Sequence, residues 1–279
     1  MRCIRVPVVA VVIGIFASAC GGTVDALDDT ADRPNPAVEV VTTTEVNAGR
    51  PEQVEALATP TTSLSVSVAA VPADPFETYV ADIIDQVEIL DTFDAPGGAP
   101  VEFEYAITNP TYFGHPLSLM VVDRVDDNQW LKVQIPVRPN GTEAWIRGGD
   151  ATLRTHRYHA QVDLSDRSVS VWDGDVLVVE TGAVVGKDRT PTPLGRFFVN
   201  DLVEKWDGSA YGPYILSLSA FSEALDSFGG GVPVIAIHGT NDPGLIGGAF
   251  SNGCIRIPNE AIRVLADNVP MGTPVDIVA

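Results

Sequence analysis

The sequence predicts a mostly-β protein, a small β module followed by a β-sandwich-like, curved-sheet domain with one or two short helices. Three observations carry that prediction. Short runs rich in Val, Ile, Leu and Trp recur from residue 117 onward. Turn signals separate them, among them Asp126-Asp127-Asn128, Arg138-Pro139-Asn140-Gly141 and Asp173-Gly174-Asp175. Helical spacing of apolar residues is confined to a late segment, Asn259 to Asn268, where Ile262, Leu265 and Ala266 fall on one face.

The chain has 279 residues and a hydrophobic content of 45%, enough for a real core. Residues 1–19 have the form of an export signal. Arg2 and Arg5 precede an apolar run from Val6 to Phe16, and Ala17-Ser18-Ala19 follows. The run is shorter than the ~20 residues a membrane span needs. Cys20 directly after the small residues resembles a bacterial lipobox, with Ala17 where Leu is more usual. That resemblance implies cleavage before Cys20, its lipidation, and a membrane-anchored protein facing the cell wall; an ordinary signal peptide cut near Ala19 is the alternative.

Residues 20–75 are rich in Thr, Pro, Ala, Asp and Glu and lack aromatics and sustained periodicity. Such a segment cannot bury enough surface to fold alone and is expected to be a disordered tether. Its ~55 residues would reach roughly 40 Å or more. The tether also carries much of the acidity behind the net charge of −20, a charge that argues against a nucleic-acid partner.

Residues 76–153 form the first folded unit. Phe76 to Leu90 is expected to be a helical or extended lead-in. Leu117 to Val122, Trp130 to Ile135 and Glu143 to Ile146 read as strands. The stretch from Gln129-Trp130-Leu131-Lys132-Val133 to Pro139-Asn140-Gly141-Thr142 and Trp145 resembles bacterial SH3-like barrels. His115, between Gly114 and Pro116 and with no partner nearby in sequence, is expected to be a surface or turn histidine and not a ligand.

Residues 154–279 form the second unit. Strands are expected over Ala160–Leu164, Ser168–Trp172, Val176–Glu180, Arg196–Val199, Val234–Ile237 and Thr273–Val278, with Gly182–Gly186 continuing the sheet. His156 and His159 lie three apart, which on a strand places them on opposite faces, and no matching Cys or carboxylate set accompanies them. No metal is expected.

Of three cysteines, Cys3 and Cys20 belong to the leader region, and Cys254 stands alone near the C-terminus. It follows Ser251-Asn252-Gly253 in a polar, small-residue turn, while His238 ends an apolar run. A free Cys is often a small buried hydrophobe, but that polar turn favours a reactive thiol. A thiol nucleophile needs a base, and imidazole suits that task near neutral pH, so the pair points to acyl transfer through a thioester.

Residues ~154 to 278 resemble the YkuD-type L,D-transpeptidases. The resemblance rests on Arg189-Thr190-Pro191-Thr192-Pro193-Leu194-Gly195-Arg196-Phe197, Tyr211-Gly212-Pro213-Tyr214, Ile237-His238-Gly239-Thr240 and Ser251-Asn252-Gly253-Cys254-Ile255-Arg256. Asn252 stands where the family usually has His. The resemblance implies an enzyme without cofactor that acts on peptidoglycan stem peptides: a tetrapeptide donor and a diaminopimelate-containing acceptor. Cys254 would be the nucleophile, His238 the general base and acid, the Gly239 carbonyl the orienter of His238, and the Gly253 and Cys254 N–H groups the oxyanion donors. Ser251 and Asn252 would contact substrate, and Tyr214 and Thr192 would wall the substrate pocket. Arg256 would contact a substrate carboxylate or hold the active loop, with pairing to an acidic neighbour as its alternative. The product would be a 3→3 cross-link. An L,D-carboxypeptidase, attachment of a protein to the wall, and a non-catalytic wall-binding lipoprotein remain open at this level.

Overall fold

A computed structural model describes residues 74–279. The leader, Cys3, the Cys20 lipidation site and nearly all of the expected tether lie outside the described residues.

The first unit is an antiparallel five-stranded sheet of order β4-β3-β2-β1-β5. Its strands are β1 (Thr78–Ile83), β2 (Ser118–Val125), β3 (Trp130–Gln134), β4 (Glu143–Arg147) and β5 (Ala151–His156). The lead-in is therefore extended. The expected β2–β3 turn has Asp126, Asp127 and Asn128 at φ of 53°, 52° and 67°, left-handed values that Asp and Asn tolerate better than most residues. A single 3₁₀ turn, Gly148–Asp150, returns β5 beside β1.

The second unit holds β6 (Tyr158–Asp163), β7 (Ser168–Asp173), β8 (Val176–Gly182), β9 (Val185–Gly186), β10 (Gly195–Glu204), β11 (Tyr214–Phe221), β12 (Val234–His238), β13 (Ala249–Ser251), β14 (Ile255–Arg256), α1 (Asn259–Asn268) and β15 (Pro274–Val278). Eight of these strands make one curled sheet, β14-β12-β11-β10-β15-β6-β7-β8. Its concave face and α1 enclose a core that includes Val169, Val171, Phe197, Leu216, Ile235, Ile237, Ile255 and Ile257. α1 contributes Ile262 and Leu265 to it, while Ala266 is half-buried at the rim.

One expectation is corrected in part. Gly182 ends β8 in the large sheet, but Ala183 to Gly186 leave that edge and cross to β14 at the opposite edge, beside the Cys254 turn. Val184 exchanges two backbone hydrogen bonds with Arg256, of 2.8 and 2.9 Å, and β9 pairs in parallel with β13. Ala183 and Val184 are fully buried, so apolar burial drives the crossing.

The two sheets share structure. Phe198 on β10 is fully buried and packs into the first sheet's core. Gln134 donates to the Arg196 carbonyl (2.8 Å) and accepts from Ser219 Oγ (2.9 Å), which itself accepts from the Phe198 N–H (3.0 Å). Arg138 and Asn140, in the expected second turn, bind the carbonyls of Ser222, Leu225 and Phe221 at 2.8–3.1 Å. Gln134, Ser219, Arg138 and Asn140 thus each find a partner across the seam, as burial requires.

Candidate active site

β12 ends at His238 and lies in parallel beside β14, with Ile237 opposite Ile255 and His238 opposite Arg256. Cys254 immediately precedes β14, so the pairing carries the thiol back alongside the strand that ends in the imidazole. Both side chains line one narrow, mostly apolar pocket of about 40 Å³ with Tyr211, Ser217, Phe113 and Phe228.

His238 is 2% exposed. Its Nδ1 lies 2.6 Å from the Gly239 carbonyl oxygen. A carbonyl only accepts, so Nδ1 carries the proton and Nε2 keeps a lone pair. Burial is the main cause that takes the imidazole down to about 4; the Gly239 and Tyr211 backbone bonds oppose it and the charge of Arg256 adds to it. The Tyr211 ring packs on His238, centroids 4.8 Å apart. Gly212, just after it, has φ of +62°, and a Cβ there would come within 2.6 Å of the Gly239 Cα. That close approach seats the Tyr211 loop on the histidine.

Cys254 is half-buried, its Sγ 3.9 Å from the Val234 carbonyl oxygen. Burial pushes the thiol up, while an Ala236 backbone bond and the charge of Arg256 pull it down. The turn that presents it is held internally. Ser251 Oγ donates to the Cys254 carbonyl (2.6 Å) and accepts from the Gly253 N–H (3.1 Å). Thr192, 3% exposed, donates to the Gly253 carbonyl (2.8 Å) and accepts from the Gly186 N–H (2.9 Å). Gly253 has φ of +117°, and a Cβ there would meet Ile235 Cδ1 at 2.7 Å.

The expected site residues therefore sort by position. Cys254, His238 and Gly239 come together. Ser251 and Thr192 do not reach the pocket; they brace the turn from behind. The Gly253 N–H, expected to face an oxyanion, is already engaged by Ser251 Oγ, which leaves the Cys254 N–H as the other donor of that pair. Tyr214 packs on the core, and its carbonyl accepts from the Gly239 N–H (3.3 Å). Asn252 is exposed, its Oδ1 taken by Lys187 (2.8 Å) and Thr190 (3.5 Å). Arg256 lies outside the pocket lining, with its Nε buried and without a hydrogen bond, yet its charge acts on Cys254, His238 and Tyr211.

The three aromatic residues of the pocket are not among the site residues the sequence predicts. Tyr211 stands three positions before Tyr214 in the same motif. Phe113 and Phe228 carry no local signal, since one comes from the loop before β2 and one from the turn before β12.

The remaining histidines do other work. His115, in its turn, pairs with Asp201 of β10, a partner distant in the chain. His159 stacks between Phe76 and Trp172 at 5.4 and 5.1 Å. His156 accepts the Tyr158 N–H (3.2 Å), and burial, helped by Arg154, takes it down to about 4.

Residues 157–277 match the family profile of the YkuD L,D-transpeptidase catalytic domain. A protein of Bacillus licheniformis classed as an L,D-transpeptidase, YkuD, is 38% identical over 120 residues, covering 43% of this chain and 65% of that protein. Its Bacillus subtilis counterpart is 35% identical over the same shares. The chain thus spans just under two thirds of these relatives' length. Among solved structures, an Enterococcus faecium L,D-transpeptidase carrying a Cys-to-Ser substitution is 25% identical, covering 43% of this chain and 48% of that one, with a TM-score of 0.34. The profile match assigns residues 157–277 to the YkuD-type catalytic domains, the family that the sequence motifs resemble.

Proposed function

We propose that the protein is a peptidoglycan L,D-transpeptidase that forms 3→3 cross-links through a Cys254 thioester. The observation that carries this reading is the pocket shared by Cys254 and His238, in which the Gly239 carbonyl fixes the imidazole tautomer. His238 Nε2 takes the thiol proton as Sγ attacks the diaminopimelate carbonyl of a tetrapeptide stem. The tetrahedral oxyanion collapses, the C–N bond to D-Ala breaks, and the imidazolium returns its proton to the leaving amine. The side-chain amine of a second stem then attacks the thioester, gives its proton to His238, and restores the thiol. The Cys254 N–H serves the oxyanion; the Gly253 N–H joins it only by giving up Ser251 Oγ. Arg256 favours the thiolate by its charge.

The first sheet is read as an SH3-like module, a reading its meander with β5 returned beside β1 supports. The leader is read as a lipoprotein signal, with Cys20 anchoring the protein to the membrane toward the wall.

Intact-mass measurement tests the enzyme reading. Wild type incubated with a disaccharide-tetrapeptide, or with a carbapenem, gains the acyl mass, and Cys254→Ala gains none. A wild-type protein unmodified by both reagents sinks it. Muropeptides formed with a defined acceptor stem then separate cross-linking from hydrolysis. Membrane fractionation tests the anchor: Cys20→Ala moves the protein to the soluble fraction, and an unchanged distribution removes the lipoprotein reading.

A further inference from the structure

We propose that Phe113, contributed by the first sheet, is a specificity-determining wall of the Cys254 pocket, and that Asp201 is the positioning residue that keeps it there. The inference rests on the thiol reading above and concerns which groups reach the sulfur.

Among the described residues that line this pocket, Phe113 alone comes from the first sheet's part of the chain; the others lie between Val203 and Cys254. Its loop, residues 109 to 116, is tightly closed. The Thr111 N–H donates to the His115 carbonyl (2.8 Å), and the Gly114 N–H donates to the Thr111 carbonyl (2.9 Å). The base of the loop is fixed by Asn109, 6% exposed, whose amide donates to the Ile83 and Ile84 carbonyls (3.2 and 3.1 Å) and accepts from the Leu117 N–H (2.9 Å).

The crown of the loop is held from the other sheet by one carboxylate. Asp201, on β10, is 1% exposed. Thr111 Oγ1 donates to its Oδ2 (2.7 Å), His115 Nδ1 pairs with its Oδ1, and the Leu202 N–H donates to the same Oδ1 (3.0 Å). A buried carboxylate is costly without such partners, so Asp201 dictates where the loop sits. The β10–β11 register shifts between Val199 and Asp201, and a bulge of this kind re-aims the side chains that follow it. Val203, two residues on and so on the same face, lines the pocket, as does Ser217, which pairs with Asp201. The carboxylate that grips the loop and the floor of the pocket thus belong to one strand pair.

The consequence is steric. Phe113, half-buried, and Phe228 bring two aromatic rings from separate segments to a pocket of about 40 Å³ beside a half-buried thiol. Such a pocket admits compact, uncharged groups next to the sulfur and refuses bulky ones. The first sheet therefore takes part in selection at the thiol in addition to packing against the second.

Two neutral thiol probes of different size test this on the full chain, with alkylation quantified at the Cys254 peptide by mass spectrometry. Iodoacetamide is the compact probe and N-phenylmaleimide the bulky one. A gated site reacts in proportion to its open fraction, so Phe113→Ala is expected to raise the bulky probe's rate about tenfold more than the compact probe's. Asp201→Asn is expected to shift the ratio the same way without further effect when combined with Phe113→Ala, a coupling that a purely structural role would not produce. Thr111→Val repeats the test if Asp201→Asn does not fold. A probe ratio unchanged by Phe113→Ala, or additive effects in the double variant, overturns the inference. Acylation of wild type by the tetrapeptide alongside a ratio that Phe113→Ala leaves unchanged means that this inference alone fails; a ratio shifted by Phe113→Ala when no stem peptide acylates wild type means that the enzyme reading fails and the wall stands.

Discussion

Ser251→Ala removes the side chain on which the Cys254 turn depends. Ser251 is 1% exposed, accepts the Gly253 N–H at 3.1 Å and donates to the Cys254 carbonyl at 2.6 Å. Gly253 is buried, so its N–H cannot turn to solvent, and an orphaned buried donor costs about 1–3 kcal/mol. The carbonyl is only partly buried, and losing its bond adds about 1 kcal/mol. The expected loss is therefore about 2–4 kcal/mol. For a domain of this size each kcal/mol is worth roughly 2–4 °C, so the melting temperature should fall by about 5–15 °C. Reactivity should fall too, because the turn also aims the sulfur. Thermal unfolding by intrinsic fluorescence and carbapenem acylation by intact mass, measured on the same preparations, read the two effects. A melting temperature within about 1 °C of wild type would refute the reasoning, since a loss that small means the turn satisfies both groups another way.

Further outcomes follow from the same geometry. Gly253→Ala places a Cβ at φ of +117° and 2.7 Å from Ile235 Cδ1; it should cost about 1–3 kcal/mol and slow acylation about a hundredfold, checked by denaturant unfolding and intact mass. Phe198→Ala empties a fully buried site in the first sheet's core and should cost about 3–5 kcal/mol, with cleavage between the sheets appearing in limited proteolysis. His238 has its folded value lowered from 6.5 to about 4, so between those values the unfolded chain binds the proton and the folded chain does not. The His238 contribution is then at its full value above pH 6.5 and falls by about 3 kcal/mol as pH drops toward 4; His238→Gln should remove that share from the denaturation midpoints and leave the parallel share of His156.

The β class of the chain was legible because its strands alternate and its turns carry Gly, Asn and Asp. The strand expected over Ser168 to Trp172 ends one residue short of β7, and the helix expected over Asn259 to Asn268 coincides with α1. Legibility failed where pairing partners are distant. β11 alternates Ser with apolar residues yet is buried almost throughout, because the core covers one face and the shared seam much of the other. Gly182 to Gly186 reads as a strand continuation by composition; only the Arg256 backbone, far along the chain, pulls Ala183 to Gly186 away. In the candidate site, His238 and Cys254 could be named from a strand end and a polar turn. Phe113 could not, because its position depends on a buried aspartate ninety residues away from Thr111.

The electrostatics of the pocket constrain how a thiol there can act. Burial works against both ions of a thiolate–imidazolium pair, raising Cys254 and lowering His238. The resting pair is therefore neutral, and the proton must move during attack and not before it. Arg256 biases that step in one direction. Its charge lowers both groups, which stabilises the thiolate and discourages a lasting imidazolium. Charge that develops on sulfur passes to the carbonyl oxygen as the new bond forms, and in the proposed reaction the Cys254 N–H is the donor left to meet it, because Ser251 Oγ holds the Gly253 N–H. A thiol kept neutral in this way is protected from small oxidants while the pocket is empty, since the thiolate is the reactive form. On the proposed mechanism it becomes nucleophilic when a carbonyl is present to accept the charge, and on the proposed gating Phe113 helps decide which carbonyls arrive.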